Sequence, residues 1–317
     1  AIQEDKPLAS VTPGYSTYSL EALRKRIKSD LHEAVDLTEQ VSAKLNPALA
    51  PLVIEFERVR GRLHNLERQL AYHSYWQRAV IEQGVFFAER NRIAALVRQF
   101  QAVQASGGSA ERVATLRQTV QERVAKFTPT AKLAIRTNRD GTRVLPVTIY
   151  TDIEDDEFLE AFREGVRAAF TRSKAARNRR FVVSLDIRRV TPAELYPAGA
   201  PARGASIDLK DHLARFRSGA LVLTTGGEST HAWVGRNITL GPNPTTRRTL
   251  GHEFGHLLGF SDAYLRAYQG DSRDPCGVVL VEWTGLIDNL MGSPGEGRVT
   301  DAMIESLIEA YGERQYQ

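Results

Sequence analysis

Residues 252–262 read His-Glu-Phe-Gly-His-Leu-Leu-Gly-Phe-Ser-Asp, and this run restricts the fold more tightly than any other part of the chain. His252 and His256 stand one helical turn apart, so on a helix both imidazoles leave the same face and can grip one metal ion. The chemistry therefore requires a helix through His256. Gly259 predicts where that helix stops, because glycine enters the left-handed backbone region that turns a chain sharply. Asp262 then swings back as a third ligand. Three protein ligands leave one position of a tetrahedral zinc site open to water, the arrangement of a catalytic site rather than a structural one. Glu253 lies beside the first ligand, where a carboxylate can take a proton from metal-bound water.

His-Glu-x-x-His alone is unspecific, since short patterns of common residues arise by chance on surface helices. Gly259 and Asp262 sharpen it, and so does Asp288-Asn289-Leu290-Met291-Gly292, which carries one of the chain's two methionines. The combination resembles the metzincin clan of zinc endopeptidases, whose pattern is HExxHxxGxxH followed by a methionine-containing turn beneath the metal. Here the third position is Asp, as in the snapalysin-like branch. The resemblance covers residues 130–312, and its specific part is confined to 252–262 and 289–292. It implies one catalytic Zn2+ held by His252, His256 and Asp262, with Glu253 as general base and Met291 as the structural floor of the site. It also implies a twisted sheet, an active-site helix, a Met-turn and a C-terminal helix.

Two departures carry chemical weight. The Asp262 carboxylate adds negative charge to the ligand set, so zinc polarises its water less than with three neutral imidazoles. Hard oxygen ligation also weakens the case for zinc as the sole metal accepted. Astacin-like and serralysin-like members place a Tyr two residues after the methionine to stabilise the oxyanion. This chain has Ser293 there, so that role is not carried over. Tyr264 and His231 are the substitutes the sequence offers, although packing or surface roles are the commoner fate of such residues.

The first third reads as helical and carries no recognisable chemistry. Leu20, Leu23, Ile27 and Leu31 form one stripe, ended by Pro47 and Pro51. Leu52, Phe56, Val59, Leu63, Leu66 and Leu70 then repeat at four-three spacing, a heptad seam. The pattern loosens through Tyr72, Tyr75, Trp76 and Phe86 but stays helical towards Phe100. A turn at 106–109 precedes a third stripe of Val113, Leu116, Val120 and Val124. Three helices with short connections predict an antiparallel bundle or coiled-coil-like hairpin over residues 1–127. His32, His64 and His73 fall here as isolated surface or seam residues.

Beyond Thr128-Pro129 the texture changes to strands alternating with helices, so residues 128–317 read as a second domain and the whole as α+β. Strands are predicted at Leu133–Arg136 and Val144–Tyr150, joined across Asn138-Arg139-Asp140-Gly141. Pro146 points to an edge position for the second of these. A helix over Asp152–Phe170 has acids in its first turn, as the helix dipole favours, and an apolar face of Phe158, Phe162, Val166 and Phe170. Further strands are expected at Phe181–Ile187, Ala220–Thr224 and Asn237–Leu240, and a last helix at Thr300–Tyr311. Asn243 and Pro244 suit the cap and first position of the motif helix.

Other features exclude more than they suggest. No apolar stretch is long enough to span a bilayer. The net charge of +4 comes mainly from dispersed arginine, and the Arg172–Arg180 run lacks any nucleic-acid module beside it, so a solvated helix end is the better reading. The single cysteine, Cys276, permits no intrachain disulfide and reads as a free thiol. Gly226-Gly227-Glu228 has no phosphate-loop lysine and reads as a turn. Asp271 and Asp274 offer oxygens to a Ca2+ ion, with a polar surface loop the better reading. Asn237-Ile238-Thr239 fits the glycosylation pattern but lies in a predicted strand. The polar start at Ala1 suits a processed, secreted or periplasmic protein, and a trimmed chain would look the same.

The sequence thus leads to the expectation of a zinc endopeptidase domain acting on protein or peptide substrates, which bind along a strand between Ala220 and Leu240. Two alternatives stand beside it. One is a non-catalytic interaction protein that works through the helical arm; the other is a toxin-like protease effector with the helical region as a docking segment.

Overall fold

Alternation in one strand sets the centre of the fold. In β2 (Arg143–Thr151), Leu145, Val147, Ile149 and Thr151 are buried while their neighbours are half-exposed, as side chains that leave a pleated strand on opposite faces require. The computed structural model describes residues 51, 53–55, 58–60, 84–130, 133–201, 208–227, 229–241, 243–270 and 278–312. β1 (Arg136–Thr137) pairs antiparallel with the start of β2 across the predicted turn, where Gly141 takes φ +82°. β3 (Phe181–Arg189) runs parallel to β2 along its whole length. β4 (Leu221–Thr225) is parallel to the end of β2, from Ile149 opposite Leu221. β6 (Asn237–Leu240) is parallel to β4, and β5 (His231–Trp233) closes the sheet as an antiparallel edge strand.

Pro146 does not mark an edge strand, since β2 is the most heavily paired strand of the sheet. β3 occupies one edge of β2 entirely, so β1 and β4 share the other, at residues 143–144 and 149–151. The Arg143 N–H donates to the Arg180 carbonyl on the β3 side. Backbone alternation therefore turns the nitrogen of Pro146 to the other edge, into the gap between β1 and β4. A missing donor costs nothing where no strand is paired to receive it.

Helices cover both faces. The β2–β3 connection is α3 (Asp156–Phe170), capped by the Asp155 carboxylate, which accepts from the Phe158 N–H. The helix starts later than the sequence suggested, because Asp152 stays buried at the end of β2. Phe158, Leu159, Phe162, Val166 and Phe170 face a core shared with Leu145, Ile149, Leu221, Leu223 and Ile238. From β3 the chain returns across β2 to β4, and a right-handed crossover in that direction belongs on the opposite face. α4 (Lys174–Asn178) still belongs to the β2–β3 connection, with Ala175 and Ala176 buried in the core that α3 faces; beyond β3, the opposite face takes α5 (Pro192–Leu195) and α6 (Leu209–Ala214). Leu195, Tyr196, Phe216 and Val222 form the smaller cluster of that second face.

The motif helix, α7 (Arg247–Leu257), packs on the α3 side. Its cap is Thr246, whose hydroxyl accepts from the Thr249 N–H, and not Asn243 with Pro244 as the sequence suggested. Threonine is itself a competent cap, and placed here it begins the helix one turn later. α7 ends as expected: Gly259 holds φ +112°, and an added Cβ would lie 2.4 Å from the Thr128 carbonyl oxygen. The last helix is α8 (Asp301–Tyr311), capped by Thr300.

The chain forms two compact units. Among the described residues, one takes 121–264 and 284–312, with the sheet and the motif; the other takes the described part of 51–120 together with 265–283. The second unit contains α1 (Gly84–Ala105) and most of α2 (Ala110–Val124). It also contains a hairpin that the sequence reading did not foresee, β7 (Leu265–Gly270) paired antiparallel with β8 (Val278–Trp283). α1 packs against this hairpin; Ile93, Ala94, Val97 and Phe100 are buried, as are Leu265, Ala267, Val281 and Trp283. The expected stripe at Leu20–Leu31, most of the seam from Leu52 to Leu70, His32, His64, His73, Asp271, Asp274 and Cys276 lie outside the described residues. Among the described residues, no helix is long and apolar enough to cross a membrane.

Candidate metal centre

His252, Glu253 and His256 are all buried on α7. The Nε2 atoms of His252 and His256 lie 3.3 and 3.4 Å from one oxygen of Asp262, Oδ1, and the three side chains offer ligand atoms all within 4.8 Å of one another. Asp262 reaches them because Gly259 reverses the chain and the Ala263 N–H donates to the Met291 carbonyl at 2.8 Å. The structure thus brings together the three residues picked out as ligands.

Each imidazole is fixed from behind. His252 Nδ1 lies 2.8 Å from the Leu290 carbonyl and His256 Nδ1 lies 2.7 Å from the Phe260 carbonyl. A carbonyl can only accept, so both Nδ1 atoms carry protons, and in a neutral ring Nε2 then presents a lone pair. Both lone pairs converge on Asp262 Oδ1, which is buried without a hydrogen-bond partner. Three such atoms brought together could hold a cation. Tetrahedral zinc with bonds of about 2.0–2.1 Å spaces its donors about 3.3–3.4 Å apart. The two nitrogen–oxygen distances match that edge, and the donor set of two imidazoles and a carboxylate suits zinc.

Burial alone would push the Asp262 carboxyl up, but the two imidazoles outweigh it and hold its pKa far below the usual carboxylate range. Burial disfavours charge on His256, yet the Asp262 carboxylate prevails and raises the imidazole above its ordinary value. Burial raises the Glu253 carboxyl, with His252 and His256 pulling the other way.

Met291 is buried beneath α7, and a Cβ added to Gly255 would come within 2.6 Å of its sulfur. Glycine at 255 is what lets the methionine turn approach the helix between the two ligands. That turn is held by the Asn289 carboxamide oxygen, which accepts from the Met291 N–H, and by the guanidinium of Arg248, which donates to the Pro294 and Gly297 carbonyls. Sequence reasoning missed the Leu290 and Phe260 carbonyls, because backbone groups leave no residue signature. It missed Arg248 as well, for which an arginine inside the motif helix was a signal.

The remaining candidates take separate places in the fold. His231 is half-buried on the edge strand β5, its Nδ1 2.8 Å from the Ser229 carbonyl. Tyr264 is half-buried two residues after Asp262. Ser293 accepts from the Glu296 N–H and closes the loop after the methionine. Asn237 is buried, its side chain donating to Thr239, so it offers no glycosylation site. In the Arg172–Arg180 run, Arg172 pairs with Glu164 and Arg179 with Glu305.

No family model matches this chain, and no curated protein matches it. Among solved structures, the crystal structure of metalloproteinase-II from Bacteroides fragilis matches with 12% identity and a TM-score of 0.31, over 59% of this chain and 57% of that one. The match thus spans little more than half the length of that protein.

Proposed function

We propose that this protein is a zinc-dependent endopeptidase in which His252, His256 and Asp262 hold the metal and Glu253 serves as general base. The observation that carries the reading is the convergence of two oriented imidazoles on a buried, unpartnered carboxylate oxygen at 3.3 and 3.4 Å. A zinc ion bound there would polarise a peptide carbonyl and bring the pKa of its water near neutrality. Glu253 follows His252 directly on α7, and burial raises its affinity for a proton. A carboxylate so placed takes a proton from the attacking water and delivers it to the leaving amine. Met291 supports the ligands from below without taking part. β5 leaves one edge without a partner among the described strands, and an extended peptide can pair with such an edge through its main chain.

The test has two arms. Elemental analysis of purified, unchelated protein should find about one zinc per chain, and His256→Ala should lose it. Glu253→Gln should keep the metal while peptide hydrolysis falls about a hundredfold or more. Protein without divalent metal sinks the ligand assignment. A Glu253→Gln enzyme that cleaves like wild type removes Glu253 as the base.

A further inference from the structure

Phe260, Ser261 and Asp262 form the short run between the helix stop at Gly259 and Ala263, which is fastened to the methionine turn. The outer two serve the metal centre: the Phe260 carbonyl accepts from His256 Nδ1, and Asp262 supplies the oxygen on which both imidazoles converge. The middle one, Ser261, is bonded elsewhere. Its Oγ accepts from the Lys126 N–H at 2.8 Å, and it lies 3.0 Å from the Val124 carbonyl and 2.8 Å from the Lys126 carbonyl, to one of which the hydroxyl donates. Val124 ends α2, and the last carbonyls of a helix have no partner within it. Ser261 meets that end from 137 residues further along the chain.

The backbone alone already pairs these segments. The Ser261 N–H donates to the Lys126 carbonyl, the Thr128 N–H donates to the Gly259 carbonyl, and Phe127 bridges to Phe260 with ring centroids 4.7 Å apart. Any residue but proline at 261 keeps those bonds, so the hydroxyl is not what brings the segments together. It adds a side-chain attachment at one residue, accepting and donating at once as a hydroxyl can. Asp262 is thereby fixed on both sides, through Ser261 to the end of α2 and through Ala263 to the Met291 carbonyl.

We infer that Ser261 is a positioning residue of the metal centre: by clasping Val124 and Lys126, it fixes the run that orients His256 at one end and presents Asp262 at the other. This rests on the metal assignment within the peptidase reading above. Groups that aim metal ligands without touching the metal govern its affinity, and losing one typically weakens binding by about 10–100-fold.

The experiment uses the full chain and two pairs of proteins that differ at position 261 by a hydroxyl: wild type against Ser261→Ala, and Ser261→Thr against Ser261→Val. Competition with a chromophoric chelator reads the Zn2+ affinity, and the visible absorption of Co2+-loaded protein reads the geometry of the ligands. In each pair the protein with the hydroxyl should bind Zn2+ about 10–100-fold more tightly, and the two Co2+ spectra should differ. Ser261→Thr should restore the wild-type spectrum. Should Ser261→Ala fail to fold, the pair of Ser261→Thr and Ser261→Val decides alone. Equal affinities and spectra within the pairs, even with a lower thermal midpoint for Ser261→Ala, overturn the inference and leave the peptidase reading standing. Hydroxyl-dependent affinity without peptide hydrolysis by wild type has the reverse effect: the clasp stands and the peptidase reading falls. Wild type that takes up neither ion removes the metal assignment and the clasp with it.

Discussion

Gly165→Ala is a substitution whose sign separates local propensity from tertiary contact. Gly165 lies inside α3, where alanine is normally the better helix former by about 1 kcal/mol. In this fold a Cβ at 165 would lie 2.5 Å from the carbonyl oxygen of Arg247 in the first turn of α7. Ordinary van der Waals contact begins at 3.4 Å, so the two backbones must part by up to 0.9 Å. The crossing has no slack one turn further along, because a Cβ on Gly251 would already lie 3.1 Å from Ala169 Cβ. Overpacking of this kind costs about 1–3 kcal/mol, and a backbone obstacle belongs near the top of that range. Subtracting the propensity gain leaves a net destabilisation of about 1–2 kcal/mol. For a unit of this size that lowers the thermal midpoint by about 2–8 °C. The measurement is thermal unfolding followed by circular dichroism on chelator-treated protein, since bound metal would add its own stabilisation and mask the difference. An unchanged or higher midpoint would show that α3 and α7 can separate freely, and the close crossing argued here would be wrong.

Metal-free protein should have a stability maximum in mild acid. The lowered Asp262 pKa contributes stability that is present above its unfolded value and lost as pH falls through the folded one; the raised His256 pKa contributes stability that is full below its unfolded value and lost as pH rises through the folded one. Both contributions are complete between about pH 4 and 6.5. Denaturant midpoints should therefore fall on either side of that window, and a flat profile would contradict the coupling. A fragment beginning at Pro129 should still bind zinc, because all three proposed ligands and the Leu290 and Phe260 carbonyls lie inside it. It should be less soluble than the whole chain, since Leu265, Ala267, Val281 and Trp283 are buried in the unit that also contains α1. Failure to bind zinc would extend the catalytic unit upstream of 128.

What the sequence disclosed depended on how locally each feature is encoded. The α3 face, the Gly259 stop and the β6 boundaries follow from periods and backbone preferences within one element, and all were legible. The start of α7 was not, because Asn243, Pro244 and Thr246 are all competent signals within four positions, and packing decides among them. β5 has three residues, too few for a period to register. β7 and β8 lie between the motif and the methionine turn, where Val278, Val279, Leu280 and Val281 form a short continuous apolar run with no alternation to mark one buried face. Pro146 misled for a different reason: its consequence depends on which neighbour its nitrogen faces, a fact of register that exists only once the sheet is assembled. At the centre itself, residue types and spacing pointed to three ligands. The carbonyls that orient the imidazoles, and the glycines at 165, 235 and 255 that let neighbouring elements close in, became visible only in three dimensions.

The order in which the chain leaves the ribosome gives one of these contacts a further meaning. His252 is oriented by a carbonyl 38 residues downstream, and the carbonyl of Leu258, at the end of the motif helix, accepts from the hydroxyl of Tyr311, 53 residues downstream. The same hydroxyl takes the Thr130 N–H, and the Tyr311 carbonyl takes the Ile135 N–H, so one late residue fastens the beginning of the sheet to the end of the helix. At about 5–20 residues per second, translation from Leu258 to Tyr311 takes about 3–10 s. During the first part of that interval, until Leu290 is made, His252 lacks the carbonyl that orients it, and until Tyr311 is made the end of the helix lacks its fastening to the sheet. Under the proposed reading, a metal held by an oriented His252 would have to wait until synthesis has passed Leu290.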